Sequence, residues 1–166
     1  MDTVMRRRHY ILGAILLITN TIFSQSIETS IRKFAKKEHP NDAKMEQYTY
    51  KKQMAAYKYM LTVKDPEVRE IAERKYRYDY SMQKYTYGKQ LAAKRYMNTV
   101  DDKKVLSIAR REHLRDFSKQ KDTYDLQLSA KIYMADVTDK SAKAAAERKY
   151  PDNYFMQKYT YDKLVE

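Results

Sequence analysis

Apolar residues along this chain follow two helical patterns that alternate within a unit of 37 residues. The shorter pattern, named helix B, has a single apolar face. Its members in the first three copies are Ile31, Phe34 and Ala35, then Val68, Ile71 and Ala72, then Val105, Ile108 and Ala109. The longer pattern, named helix A, is apolar on two sides, and such a helix needs neighbours on both sides. In the first copy its broad face is Met45, Tyr48, Thr49, Ala55, Ala56, Tyr59, Met60 and Val63, with Tyr50 and Met54 nearly opposite.

The repeat is set end to end without insertion or deletion. Its clearest marker is a Thr-Tyr pair that recurs every 37 residues as Thr49-Tyr50, Thr86-Tyr87, Thr123-Tyr124 and Thr160-Tyr161. A fixed period of this size is typical of stacked supersecondary units. The sequence therefore predicts an all-α fold of tandem helical hairpins, forming a short α-solenoid or repeat bundle. We expect units at 28–64, 65–101 and 102–138, and a truncated unit at 139–166.

Short polar residues punctuate each unit where a helix should begin. The predicted starts of helix B are Asp65, Asp102 and Asp139, with Glu28 in the first unit, and those of helix A are Asp42, Asp79, Asp116 and Asn153. Short side-chain oxygens accept the free backbone N–H groups of a helix start. Pro40 and Pro151 separate B from A in the outer units, whereas the middle units could fuse the two helices. We expect a break in every unit because the cap residues persist.

The N-terminus resembles a secretory signal peptide. Arg6-Arg7-Arg8 precede an apolar run from Tyr10 to Ile18, and small residues Ser24 and Ser26 suit a cleavage site. The sequence thus predicts a leader over 1–26, a single helical-repeat domain over 27–166 and a secreted, periplasmic or extracellular location. The alternative is an uncleaved N-terminal membrane anchor, although the run is shorter than the roughly 20 residues of a bilayer span.

The composition points away from enzymatic chemistry. The chain has no Cys and three His, and its two Gly form no phosphate-binding loop. His39 and His113 share a repeat position with Tyr76 and Tyr150, which favours an aromatic ring with a polar tip over a metal ligand. No nucleophile and base are available as a set. We therefore expect no enzyme, no catalytic or metal-binding residue, no cofactor and no small-molecule substrate.

Two rows of basic residues are the candidate binding sites of a chain whose net charge is +12. The first row lies on helix B and consists of Lys37, Arg74, Arg111 and Arg148; the second lies on helix A and consists of Lys84, Lys121 and Lys158, with Gln47 in the first unit. The residue before the first row changes sign between units, while the row stays basic. The alternative is a solvated face with ion pairs four residues apart, such as Glu70–Arg74.

A row of tyrosines is open to two interpretations. Tyr50, Tyr87, Tyr124 and Tyr161 are identical in all four units. They could pack at unit junctions, with the hydroxyl bonded to the next unit, or they could line a surface on which bases or sugars stack.

These patterns lead to one functional hypothesis and two rivals. The leading hypothesis is an exported, non-enzymatic helical-repeat protein that presents a basic, Tyr-rich surface to an acidic partner protein. The first rival is a binder of polyanions: nucleic acid, acidic glycan or an anionic membrane surface. The second rival is a structural matrix protein that uses its Tyr and Lys residues for cross-linking or adhesion.

Overall fold

The computed structural model describes residues 25–166, and in this range the chain consists of helices and short connections, without a strand. The helices pack against one another, so the predicted all-α class is confirmed. They are α1 over residues 25–38, α2 Ala43–Thr62, α3 Pro66–Lys75, α4 Tyr80–Met97, α5 Lys103–Glu112, α6 Phe117–Asp136, α7 Lys140–Lys149 and α8 Tyr154–Val165. The odd-numbered helices are the predicted helices B, and the even-numbered ones are the predicted helices A.

The helix starts after α1 are capped as the sequence predicts. In each, a side-chain oxygen of the cap residue accepts the backbone N–H three residues further on, which satisfies a donor that the helix cannot. The distances are 2.9 Å at Asp42, 3.1 Å at Asp65, 3.0 Å at Asp79, 3.0 Å at Asp102, 3.1 Å at Asp116, 2.9 Å at Asp139 and 3.0 Å at Asn153. The repeated Asp and Asn positions therefore fix the helix boundaries.

The predicted helix start at Glu28 is wrong. Residues 25–27 are already helical, so Glu28 lies inside α1. Its carboxylate accepts a hydrogen bond from the Arg32 guanidinium at 2.8 Å and another from the Tyr50 hydroxyl at 3.1 Å. The longer Glu side chain suits an ion pair four residues along a helix better than it suits a cap.

Helices B and A separate in every unit, including the two that lack proline. In the second unit Tyr76 N donates to Ala72 O, and Asp79 N then donates to Tyr76 O. The side-chain amide of Gln83 also donates to Tyr76 O at 2.7 Å. The equivalent amides of Gln120 and Gln157 donate to the His113 and Tyr150 carbonyls, both at 2.6 Å. The expected break is confirmed, and in the last three units a buried glutamine donates to a carbonyl at the break, with or without proline.

The described chain divides into two compact units, and the division falls between Tyr85 and Thr86, inside α4. It coincides with no boundary of the 37-residue repeat. In the compact unit Thr86–Glu166, α6 packs against α5 and α8, and α7 packs against α8. One core cluster there contains Met97, Val105, Leu106, Ala109 and Tyr124, and another contains Met134, Ala142, Ala146 and Tyr161. In the first unit the counterparts Met60, Val68 and Ala72 are also buried.

The broad apolar face predicted for helix A is wrong in part. Tyr48 is 59 % exposed and Ala55 is also exposed, whereas the polar Gln53 is buried at 3 %. The buried line of α2 is Gln53, Ala56 and Met60. Gln53 is tolerated there because both ends of its amide are hydrogen-bonded, as described below. No helix in the described range is long and apolar enough to cross a bilayer. The predicted leader falls almost wholly on residues 1–24, which lie outside the described residues.

Candidate partner-binding surface

The first basic row lies at the C-terminal ends of the short helices. Lys37, Arg74, Arg111 and Arg148 each occupy the last turn of α1, α3, α5 or α7, and each side chain is exposed. Cations in the last turn interact favourably with the partial negative charge of a helix end. Among the described residues none of the four forms an ion pair or a side-chain hydrogen bond. The four charges of the row are therefore exposed and unpaired within the described residues.

The ion pair that could have neutralised the row is not formed. Glu70 and Arg74 are four residues apart on α3, but the structure pairs Arg69 with Glu73 instead, with Arg69 Nε donating to the carboxylate at 2.6 Å. Glu73 is the residue directly before Arg74, so the acid next to the row is occupied by another cation. Arg74 consequently keeps its charge exposed even though its neighbour is acidic.

The second basic row forms contacts within the fold. Lys121 Nζ binds the Asp125 carboxylate and lies 4.8 Å from the centre of the Tyr96 ring; Lys158 binds Asp162 and lies 4.4 Å from the Tyr133 ring. Lys84 of α4 lies 4.9 Å from the centre of the Tyr59 ring of α2. These cation–π contacts join consecutive long helices. The two rows therefore differ: the row on the short helices is free of ion pairs in the described chain, whereas Lys121 and Lys158 are both paired.

A tyrosine completes each of the two lysine–aspartate pairs. The Tyr96 hydroxyl donates to Asp125 at 2.6 Å, and the Tyr133 hydroxyl donates to Asp162 at 2.7 Å. The hydrogen bond to Asp125 and partial burial raise the pKa of Tyr96 to about 12. The hydrogen bond that Lys158 Nζ donates to the Asp162 carboxylate lowers the pKa of that aspartate and raises the pKa of the lysine. The lysine and aspartate of each cluster therefore stay charged at neutral pH, while Tyr96 stays protonated, and the contacts hold the long helices together.

The recurring tyrosine row packs inside the protein. Tyr87, Tyr124 and Tyr161 are only 3–6 % exposed, and the Tyr124 hydroxyl accepts Asp102 N at 3.4 Å, as the Tyr161 hydroxyl accepts Asp139 N at 3.3 Å. The packing interpretation is confirmed for these three rings, which cannot serve as a stacking surface. The hydroxyls bond within their own 37-residue unit and not to the next one. Exposed tyrosines form a different row: Tyr48, Tyr85 and Tyr159, each at least 55 % exposed.

Three buried glutamines form the junctions that the sequence analysis missed. The Gln53 amide donates to the Asp79 carboxylate at 2.8 Å and accepts from Ser81 N at 3.1 Å, which links α2 to the start of α4. Gln90 does the same with Asp116 and Ser118, and Gln127 does so with Asn153 and Phe155. The available signal was the recurrence of glutamine every 37 residues within an apolar stripe.

The two histidines of the described residues, His39 and His113, lie at helix ends. His39 N and His113 N donate to the carbonyls of Ala35 and Ala109, at 3.1 and 3.2 Å, and close the last turns of α1 and α5. In the described part of the chain no three His, Asp or Glu side chains are grouped so that they could hold a metal ion.

Comparison with protein-family models, with characterised proteins and with solved structures finds no match to this chain.

The ion pair between Asp102 and Lys131 leads to a prediction about the pH dependence of stability. This cap residue of α5 also binds Lys131 of α6, and that hydrogen bond lowers the pKa of Asp102 below its usual 3.8. A lowered pKa contributes stability that is present above the unfolded-state pKa and is lost as the pH falls through the folded-state value. Asp102→Asn keeps the cap but removes the ion pair.

We expect Asp102→Asn to lower the free energy of unfolding by about 1 kcal/mol at pH 7 and by much less at pH 3. Urea denaturation at both pH values measures this difference. The same loss at pH 3 as at pH 7 would show that the charge of Asp102 contributes nothing.

Proposed function

We propose that this chain is an exported, non-enzymatic helical-repeat protein that binds an acidic partner protein through the row Lys37, Arg74, Arg111 and Arg148. The proposed architecture is a short α-solenoid of two-helix units. Its support is the recurrence, at the repeat spacing, of the Gln junctions and of the Tyr124 and Tyr161 contacts with helix caps. Repeat proteins of this kind bind partners along extended surfaces. The charge pattern before residue 20 supports export.

One observation carries the binding proposal: the contrast between the two basic rows. In the second row, Lys121 and Lys158 are paired with Asp125 and Asp162, and Lys84 lies over the Tyr59 ring. The cations at the ends of the short helices are exposed and have no ion-pair partner in the described chain. A lysine that is already paired with a carboxylate attracts an external anion less, whereas an exposed, unpaired guanidinium can form bidentate hydrogen bonds with a carboxylate. Three of the four members are arginines.

The net charge of +12 favours polyanion binding as the second candidate. A nucleic acid or acidic glycan would meet the same row, but its binding would release counterions and fall steeply with salt. An acidic protein surface of matched shape would lose much less affinity at moderate salt, because apolar contacts contribute to such an interface. The salt dependence of binding therefore separates the two candidates.

Charge reversal tests whether the row is a site. We expect the triple variant Arg74→Glu, Arg111→Glu and Arg148→Glu to elute from a heparin column at clearly lower salt than the wild-type chain. The matched control reverses Lys33, Lys103 and Lys140, which are also exposed and lie on the short helices outside the row. Because both triples change the net charge equally, a selective loss assigns binding to the row. Equal losses would mean that only net charge matters.

The reversed residues lie in last turns, where a negative charge is unfavourable by about 0.3–1 kcal/mol each. Circular dichroism must therefore show unchanged helicity in both triples. A parallel triple of Arg→Gln substitutions, which is milder to the helix ends, should still lower the eluting salt. If the Gln triple binds like the wild type, the arginines do not contact the anion.

A further inference from the structure

The outward faces of the long helices carry opposite charge in different repeats. Seven equivalent positions define this outer face: in α2 they are Tyr48, Lys51, Lys52, Ala55, Lys58, Tyr59 and Thr62, and in α6 they are Asp122, Asp125, Leu126, Ser129, Ile132, Tyr133 and Asp136. These positions share one side of a helix. The outer face of α2 thus has three cations and no anion, and that of α6 has three anions and no cation.

Two positions of the outer face of α6 carry exposed aliphatic side chains where the preceding long helices carry cations. Leu126 is 48 % exposed and Ile132 is 58 % exposed. The same positions hold Lys52 and Lys58 in α2, and they hold Lys89 and Arg95 in α4. The two aliphatic side chains therefore lie between acids on the exposed face, where they can contact an apolar part of a partner.

The charged groups that flank these aliphatic residues are available for contact. Asp122 and Asp136 are exposed and form no ion pair among the described residues, whereas Asp125 is bound to Lys121. On the other face Lys51, Lys52 and Lys58 are exposed and likewise form no ion pair within the described chain. Each face therefore offers unpaired charge of one sign next to exposed apolar groups.

We propose that the outer face of α6 docks on the outer face of α2 of a second copy of this chain. Asp122 and Asp136 then meet lysines of α2, while Leu126 and Ile132 pack on the Tyr48 ring and on the aliphatic stems of those lysines. Charge complementarity selects this occupant, since most of the chain's surface is basic and would repel another copy. The contact does not involve the row on the short helices, so it is independent of the proposed function.

Because the two docking faces differ, the contact is heterologous. Each copy offers one α2 face and one α6 face, so copies add head to tail. Sedimentation velocity on the full chain should show a weight-average sedimentation coefficient that rises with protein concentration at about 0.15 M salt. The rise should shrink at about 1 M salt, where charges are screened beyond roughly 3 Å. A coefficient that stays at the monomer value over the whole concentration range would overturn the proposal.

A charge swap makes the test specific. One variant carries Asp122→Lys and Asp136→Lys, and the other carries Lys51→Glu, Lys52→Glu and Lys58→Glu. Each variant alone should remain monomeric because its two faces now repel, and mixing the two should restore association. Residues 1–24 are identical in all the proteins compared, so differences between them report on the two faces.

The matched control for the first variant is Glu70→Lys with Asp101→Lys, which changes two exposed acids elsewhere by the same charge. This control should associate like the wild type at equal concentration, because the added charge lies outside both docking faces. Association by either face variant alone, or failure of the mixture to associate, would contradict the docking of α6 on α2.

Discussion

Replacing Ile108 with alanine is expected to lower the free energy of unfolding by about 2–4 kcal/mol, a fall in Tm of roughly 4–16 °C for a chain of this size. Ile108 is 2 % exposed and lies on the single apolar face of α5. Truncation removes buried methyl groups and leaves a cavity that the packed helices cannot fully close. Urea denaturation followed by circular dichroism measures the loss.

The chain offers a matched control for this substitution. Ile132→Ala makes the same chemical change inside a helix, but Ile132 is 58 % exposed. It should be neutral or slightly stabilising, because alanine has the higher helix propensity. Glu73→Ala should also cost little, since it removes only the exposed pair with Arg69. If Ile108→Ala and Ile132→Ala shift the unfolding midpoint equally, the assigned core face is wrong.

Gln127→Leu is expected to have the second-largest effect, about 2–3 kcal/mol. Gln127 is 3 % exposed, and its amide donates to Asn153 Oδ1 and accepts from Phe155 N. Leucine has a similar volume and suits a helix, so the loss measures the hydrogen bonds. Phe155 N lies in the first turn of α8 and would lose its acceptor, and leaving a partly buried donor unpaired costs more than the net value of the bond.

Gln47→Leu is the control for the junction. Gln47 is exposed on α2 and forms no side-chain hydrogen bond in the described chain, so its substitution should leave the unfolding midpoint nearly unchanged. A neutral or stabilising Gln127→Leu would mean that the buried amide contributes no net stability and that apolar contact alone joins α6 to α8.

Local signals explain why so much of the fold could be predicted. The caps at Asp102 and Asp116 act within three residues, and the break before Asp116 follows from that cap without proline. The recurrence of glutamine marks the junction positions, but the sequence does not reveal their partners, since Gln90 contacts Asp116 at a separation of 26 residues. A polar residue within an apolar stripe is not predicted to be buried unless its hydrogen-bond partner is known.

The basic rows show the same limit for the candidate site. The pairing of Lys121 with Asp125 was visible as charges four residues apart, but the contact with Tyr96 needs the preceding long helix. The periodic pattern alone does not show which of the two basic rows is paired within the fold. Only the positions of the neighbouring rings and carboxylates distinguish a lysine used for packing from an arginine left exposed, such as Arg111.

The salt dependence of binding to a generic DNA duplex tests the central claim most directly. The logarithm of the affinity should fall linearly with the logarithm of salt concentration, with a slope of about 0.9 for each cation that contacts a phosphate. The triple variant Arg74→Gln, Arg111→Gln and Arg148→Gln should therefore bind with a slope shallower than the wild type by about 2–3. The control triple Lys33→Gln, Lys103→Gln and Lys140→Gln should keep the wild-type slope. Equal slopes for the two triples would contradict the claim that the row on the short helices contacts anions.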